Sequence, residues 1–264
     1  MRMPMSCLNL RMRIRLLAVV VALPLGAVTL RAQSPQQLVA QGDRDYGERR
    51  VAVALTHYLA AIAADPKNND ALCKASRAEA DLGESLGRGA AQDSAFAAAM
   101  RHAERAVAVA PRSADAHFAL ARAAGRKALS VGTMARIRYS KVVRTEALES
   151  LRYDSLHAGS LHVLGMWNAE VMRLSGFSRA FARTFLGAGV FGLASWAEAT
   201  RLLEKSVAVE PERIVHHLDL GAIYKDTGNV AGARAQFEWV LRAPERDFND
   251  ALYKRRAADL LRTL

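Results

Sequence analysis

Cysteine is nearly missing from this chain: two residues in 264, Cys7 and Cys73, too few for a disulfide-stapled scaffold. Aromatics are scarce at 6%, and there are only seven prolines, whereas half of the residues are hydrophobic and alanine-rich. That balance suits one alanine-rich helical array or two small domains, and burying a core is no difficulty at this length. No His-x-x-x-His or His-Glu-x-x-His occurs, so none of the seven histidines falls in a zinc-binding helix pattern. His157 and His162 lie five apart, off a shared helical face, and the neighbours His216 and His217 point in different directions. Nor is there a nucleophile elbow or an oxyanion glycine motif beside Asp154, Ser155 and His157. The expectations are no catalytic residues, no metal and no cofactor.

No apolar run reaches the roughly 20 residues needed to span a bilayer. Near the N-terminus, Arg2, Arg11, Arg13 and Arg15 precede an apolar stretch from Leu16 to Leu30, broken by Pro24, that leads to Arg31-Ala32-Gln33-Ser34. This is the pattern of a signal peptide over residues 1–32, cleaved after Ala32, with export to the periplasm or envelope. An uncleaved N-terminal anchor is the alternative. Removing the segment's five arginines takes the formal charge from +11 to +6. Such modest, acid-interspersed basicity lacks the clustered stripe of a nucleic-acid binder. Cleavage also leaves Cys73 as the single thiol, expected as a small core residue.

Leu220-Gly221-x-x-Tyr224, Gly228 and Ala233-x-x-x-Phe237 have the order of a helix-turn-helix tetratricopeptide repeat (TPR). Such a unit cannot bury its apolar face alone, so one copy predicts others. Pro66, Pro111 and Pro211 each close an alanine-rich run and act as a ruler. Counting back from Pro66 puts Gly42, Ala54, Tyr58 and Ala61 where the clear copy has Gly221, Ala233, Phe237 and Val240. The expected units are 36–66, 69–111, 114–155, 158–211 with an insertion at 172–194, and 214–244, followed by a capping helix at 248–264. Asn68, Ser113 and Ser195 read as helix caps, the last in a Ser-x-x-Glu box. In the second unit Gly83 and Gly87 read as interruptions of its first helix, with the second helix over about 91–109. In the third, the partner helix is expected over about 138–152. The fold class is all-α, a right-handed TPR-like superhelix.

The chain therefore resembles a TPR protein over about residues 36–264. Its C-terminal half is similar to the regulator of microtubule dynamics family and its bacterial relatives. The residues that carry this likeness are Leu164-Gly165-Met166-Trp167, Leu174-Ser175-x-x-x-Arg179, Phe185-Leu186-Gly187, Glu198-Ala199, His217-Leu218-x-Leu220-Gly221 and Ala257-x-x-Leu260-Leu261. Eukaryotic members carry an aromatic directly after Leu-Ser, where this chain has Gly176 and then Phe177. The resemblance implies a repeat-built adaptor without catalytic residues, and no microtubule role is carried over.

First helices normally line the inner wall of such a stack. By register, Lys74, Arg77, Phe118, Arg122, Arg126, His162 and Met166 are the candidate partner-binding residues, and the four cations suit an acidic peptide or a C-terminal carboxylate. Solvated charges with local acid partners are the plain alternative. In the insertion, Phe177, Phe181, Phe185 and Phe191 alternate with Arg173, Arg179 and Arg183, an amphipathic pattern expected to fold back over the groove. A lipid or other apolar ligand under that cover, or contact of the insertion with a membrane, is the alternative function. Gly187-Ala-Gly189-Val-Phe-Gly192 spells a dinucleotide-binding motif, but no buried strand precedes it, and a connection is expected instead.

Overall fold

The computed structural model describes residues 33–174 and 189–264. The signal-peptide reading of residues 1–32 and most of the insertion lie outside the described residues. Among those described there are eleven α-helices and no strand. They are α1 (Pro35–Gly47), α2 (Val51–Ala64), α3 (Asn69–Ser85), α4 (Ala90–Val109), α5 (Ala114–Ser130), α6 (Thr133–Tyr153), α7 (Ala158–Arg173), α8 (Trp196–Val209), α9 (Ile214–Asp226), α10 (Val230–Arg242) and α11 (Asp250–Arg262). A 3-10 turn, Gly189–Leu193, precedes α8. The glycine-rich motif thus ends in a 3-10 turn between helices.

The helices pack as consecutive pairs: α1 with α2, α3 with α4, α5 with α6, α7 with α8, and α9 with α10. The first helices also touch in series, α1 to α3 to α5 to α7 to α9 to α11, and so form one continuous layer. The fold is a TPR-like α-solenoid.

Local chemistry sets the helix starts. Ser34 accepts from the Gln37 amide while Gln37 Oε1 accepts from the Ser34 amide, a complete capping box. Asn68 and Ser113 cap α3 and α5 through the Ala71 and Ala116 amides, each worth about 1 kcal/mol. At α8 only half of the expected box forms. Ser195 Oγ accepts from the Glu198 amide, but the Ser195 amide donates to Asn168 Oδ1 and Glu198 pairs with Arg201.

Packing is governed by size at one position. Seven residues into each first helix stand Gly42, Ser76, Ala121, Gly165 and Gly221, all buried. A Cβ on Gly42 would lie 2.5 Å from the Tyr58 ring, and one on Gly221 would lie 2.6 Å from the Phe237 ring. Both rings are fully buried. Gly83 was expected as a helix interruption. It lies inside α3 instead, where the Phe96 ring comes within 2.6 Å of the place a Cβ would take. Helix α6 begins at Thr133, a turn earlier than the expected 138.

The junctions between pairs repeat as well. Ala61 and Ala71, Ala106 and Ala116, Ser150 and Ser160, and Ser206 and His216 occupy equivalent places ten residues apart, all buried. Where alanine gives way to serine, the hydroxyls are satisfied: Ser160 Oγ donates to Ser150 Oγ at 2.6 Å, and Ser206 Oγ donates to the Ala158 carbonyl at 2.9 Å. Burial of the Cys73 thiol pushes its pKa up to about 12, consistent with a packing role.

Gly221→Ala should destabilise the protein by about 1–3 kcal/mol in urea unfolding, because overpacking against Phe237 outweighs alanine's gain of about 1 kcal/mol in helix propensity. Gly47→Ala, with nothing within 4 Å of its would-be Cβ, should be neutral or stabilising. Equal effects at both sites would remove the crossing argument.

Candidate functional site

A cavity of about 630 Å³ occupies the inside of the stack. It is walled by first helices from α1 to α9, by α6, and by the start of α11. Its volume lies within the usual range of ligand sites, about 300–1,000 Å³. One wall, from α5, α6 and α7, is apolar: Phe118, Ile137, Val143, Val163, Met166 and Trp167. Phe191 joins this wall edge-on to Trp167, with ring centroids 6.0 Å apart. The adjoining side, from α1, α3 and α5, carries Tyr46, Arg77, Asp81, Arg122 and Arg126.

The cations of that register have different fates. Lys74 is paired with Asp43 at 2.7 Å and with Asp70 at 2.8 Å, and is absent from the lining. Arg126 meets Glu84 at 2.5 Å. Burial alone would lower its pKa, but the Glu84 carboxylate beside it raises it. Arg122, one turn back, is 3.9 Å from Asp81, beyond hydrogen-bond reach, and burial lowers its pKa because Asp81 compensates only in part. Arg77 lies over the Tyr46 ring, 3.7 Å from its centroid, a contact worth about 0.5–2 kcal/mol. The Tyr46 hydroxyl donates to Asp81 and is held protonated by burial and by that carboxylate.

The other candidates also reach the lining. Phe118 packs on Gly159 and tilts against His157, with centroids 4.6 Å apart. His162 Nε2 meets Asp219 at 2.7 Å and its ring stacks on His216 at 4.8 Å. Met166 sits between the apolar wall and the cluster formed by α7, α8 and α9. Of the insertion, Phe177, Arg179, Phe181 and Phe185 lie outside the described residues. Asp154, Ser155 and His157 do not converge on one another: the Asp154 carboxylate accepts from the Leu156 amide, and His157 caps α7 through Nδ1 while Nε2 meets Asp115. Among the described residues no three His, Cys, Asp or Glu side chains form a group able to hold a metal ion.

Sequence reasoning missed the latch beside the cavity. Glu84 on α3, 8% exposed, accepts from the Tyr253 hydroxyl at 2.6 Å and pairs with Arg256 at 3.0 Å, both on α11, as well as with Arg126. Asn249 Nδ2 donates to the Asp81 carbonyl at 3.1 Å, and Arg49 meets Glu245 at 3.0 Å. The end of the solenoid thus returns to its beginning. A buried carboxylate in a first helix and a tyrosine in the last one are the only sequence signals for it, about 170 residues apart.

The comparisons with known proteins agree with this architecture. A family model, regulator of microtubule dynamics protein 1-3, matches residues 34–264. The chain belongs to this family. Among solved structures, a thermophilic TPR protein of Thermus thermophilus is 20% identical, with a TM-score of 0.62, covering 86% of this chain and all of that one. At that identity the likeness shows the TPR fold. PilF of Pseudomonas aeruginosa (13% identity, TM-score 0.49, 86% and 84% coverage) and YrrB, described as a TPR protein with an unusual peptide-binding site (11%, 0.40, 86% and 91%), are more distant. No curated protein matches by sequence. The family match spans the cavity-lining helices and α11, so the latch lies within the family's domain.

Glu84→Ala should lower stability by about 2–3 kcal/mol, less than the 3–5 of a fully buried pair because Arg256 is half exposed, and should speed amide exchange throughout α11. Unchanged exchange in α11 would show that Glu84 is not the latch. Acid should loosen the α8–α9 junction. Burial, followed by the charges of His162 and Arg213, pushes His216 well below its ordinary pKa of 6.5. His216 is therefore neutral when folded, and the unfolded chain binds the extra proton. This contribution is complete above pH 6.5 and is lost as pH falls below it, so His216→Gln should flatten the acid limb of the stability profile.

Proposed function

We propose that this family member is an exported, non-catalytic interaction scaffold that takes a segment of a partner protein into the interior of its solenoid. The carrying observation is the cavity described above, in which an aromatic wall adjoins a set of guanidiniums. Aromatic and arginine side chains are the groups that dominate recognition energies, because they combine large contact area with directional hydrogen bonding. The repeat frame supports this reading, since its first helices present a rigid, preformed surface that loses little entropy on binding. Export rests on the arginine-flanked apolar stretch ahead of Gln33.

A second reading is favoured by the continuity of Phe118, Val143, Val163, Met166, Trp167 and Phe191: a carrier for an apolar small molecule. The two differ in what leaves with the protein. A photo-crosslinking side chain at Val163, in cells of the native host, should trap a peptide-bearing adduct, and the mature chain should start at Gln33. Adducts only from exposed α2 positions such as Val53 would move the interface to the outside. A lipid mass in place of a peptide would establish the carrier, and an intact Met1 or Met12 would rule out cleavage.

A further inference from the structure

We propose that Arg77 and Arg122 form an anion-binding subsite in the interior cavity, for a carboxylate at the end of an apolar chain. The inference rests on the reading above that the cavity receives a ligand, and it names that ligand's chemistry.

The argument starts from charge and hydrogen bonding. Around the α1–α3–α5 side, Asp81 and Glu84 face Arg77, Arg122, Arg126 and Arg256. Glu84 is occupied by Arg126, Arg256 and the Tyr253 hydroxyl. Asp43 on α1 is taken by Lys74 and by the Tyr58 hydroxyl, and of the other acids in the lining Asp115 meets His157, Asp219 meets His162 and Asp247 meets Arg213. Asp81 remains, and one of its oxygens already accepts from Tyr46. Arg77 and Arg122 are thus left to share one carboxylate that neither reaches at hydrogen-bond distance.

Both side chains also have a buried Nε without a hydrogen-bond partner. A buried guanidinium donor left unpaired is costly, and native structures rarely tolerate one without a reason. The two guanidiniums stand on adjacent first helices and on the cavity wall, so an anion in the cavity would meet two under-paired cations. Arg77, Arg122 and Asp81 together carry one net positive charge, which suits a singly charged carboxylate better than a phosphate dianion.

The rest of the ligand is set by what adjoins the pair. The Arg122 guanidinium lies 5.6 Å from the centroid of the Phe118 ring, and Phe118 begins the apolar wall that runs through Val163 and Met166 to Trp167. A carboxylate held at the arginines therefore places its following atoms against aromatic and aliphatic surface. A partner's apolar C-terminus and a free long-chain carboxylate share this chemistry.

Affinity selection of the mature chain against a pool of pentapeptides with two apolar C-terminal residues, as free acids and as amides, tests the subsite, with dodecanoate as a third probe. The free-acid pool should be retained about ten-fold better than the amide pool, the scale of a charge-assisted hydrogen-bond pair. Arg77→Gln and Arg122→Gln should erase that difference, and Arg122→Lys, which keeps the charge if Gln disturbs folding, should preserve part of it. Retention of dodecanoate with loss in the same Gln variants, and no peptide retained, would uphold the carboxylate subsite with an amphiphile as the source. Equal retention of acid and amide pools would overturn the subsite and leave the cavity as a binding site. Retention of none of the three probes would overturn both.

Discussion

Close approach of paired helices is the constraint from which everything else in this solenoid follows. Helix axes can come close only where one side offers almost no side chain, and here that position is filled by Gly42, Ser76, Ala121, Gly165 and Gly221. The large residue opposite, Tyr58 or Phe237, then fills the space the small one leaves. Fixing this contact in each pair fixes the tilt of the next, and the first helices fall into a continuous layer along a cavity. The cavity is thus a product of spacing, and its chemistry is free to vary on the faces that do not touch.

Much of the frame was legible because the spacing is local. Gly221, Ala233 and Phe237 lie within seventeen residues, and the same offsets around Gly42 and Tyr58 locate the first pair. Gly83 shows where local reasoning stops. A glycine in an alanine-rich helix can be a breaker or a contact point, and only the position of Phe96 decides between them. The first turn of α6 was hidden for a related reason, since Gly132-Thr133 reads as a loop and no hydrophobic period marks it.

Which first-helix residues line the cavity was legible from register, and their pairing was not. Register alone put Arg77, Phe118, Arg122, His162 and Met166 on first helices, and all five reach the cavity wall. What register could not supply was the fate of each charge. Lys74 finds its acids within its own helix and the preceding first helix, α1, while Arg126 finds Glu84 together with Tyr253 from the far end of the chain. Equally, Asn168 bridges to the Ser195 amide and holds the start of α8 against α7, a contact between residues that sequence separates by an insertion. Long-range partners decide whether a buried charge is satisfied, and no local pattern encodes them.

The return of α11 to α3 changes the statistics of the whole array. In an open solenoid each repeat speaks only to its neighbours, so terminal units fray independently and melting spreads as a one-dimensional front. A contact between Glu84 and Tyr253 ties the far end to the second pair, so detaching the C-terminal end must break a bond to α3. Topologically the line from α3 onward becomes a loop, and that loop has no free C-terminal end from which to unzip.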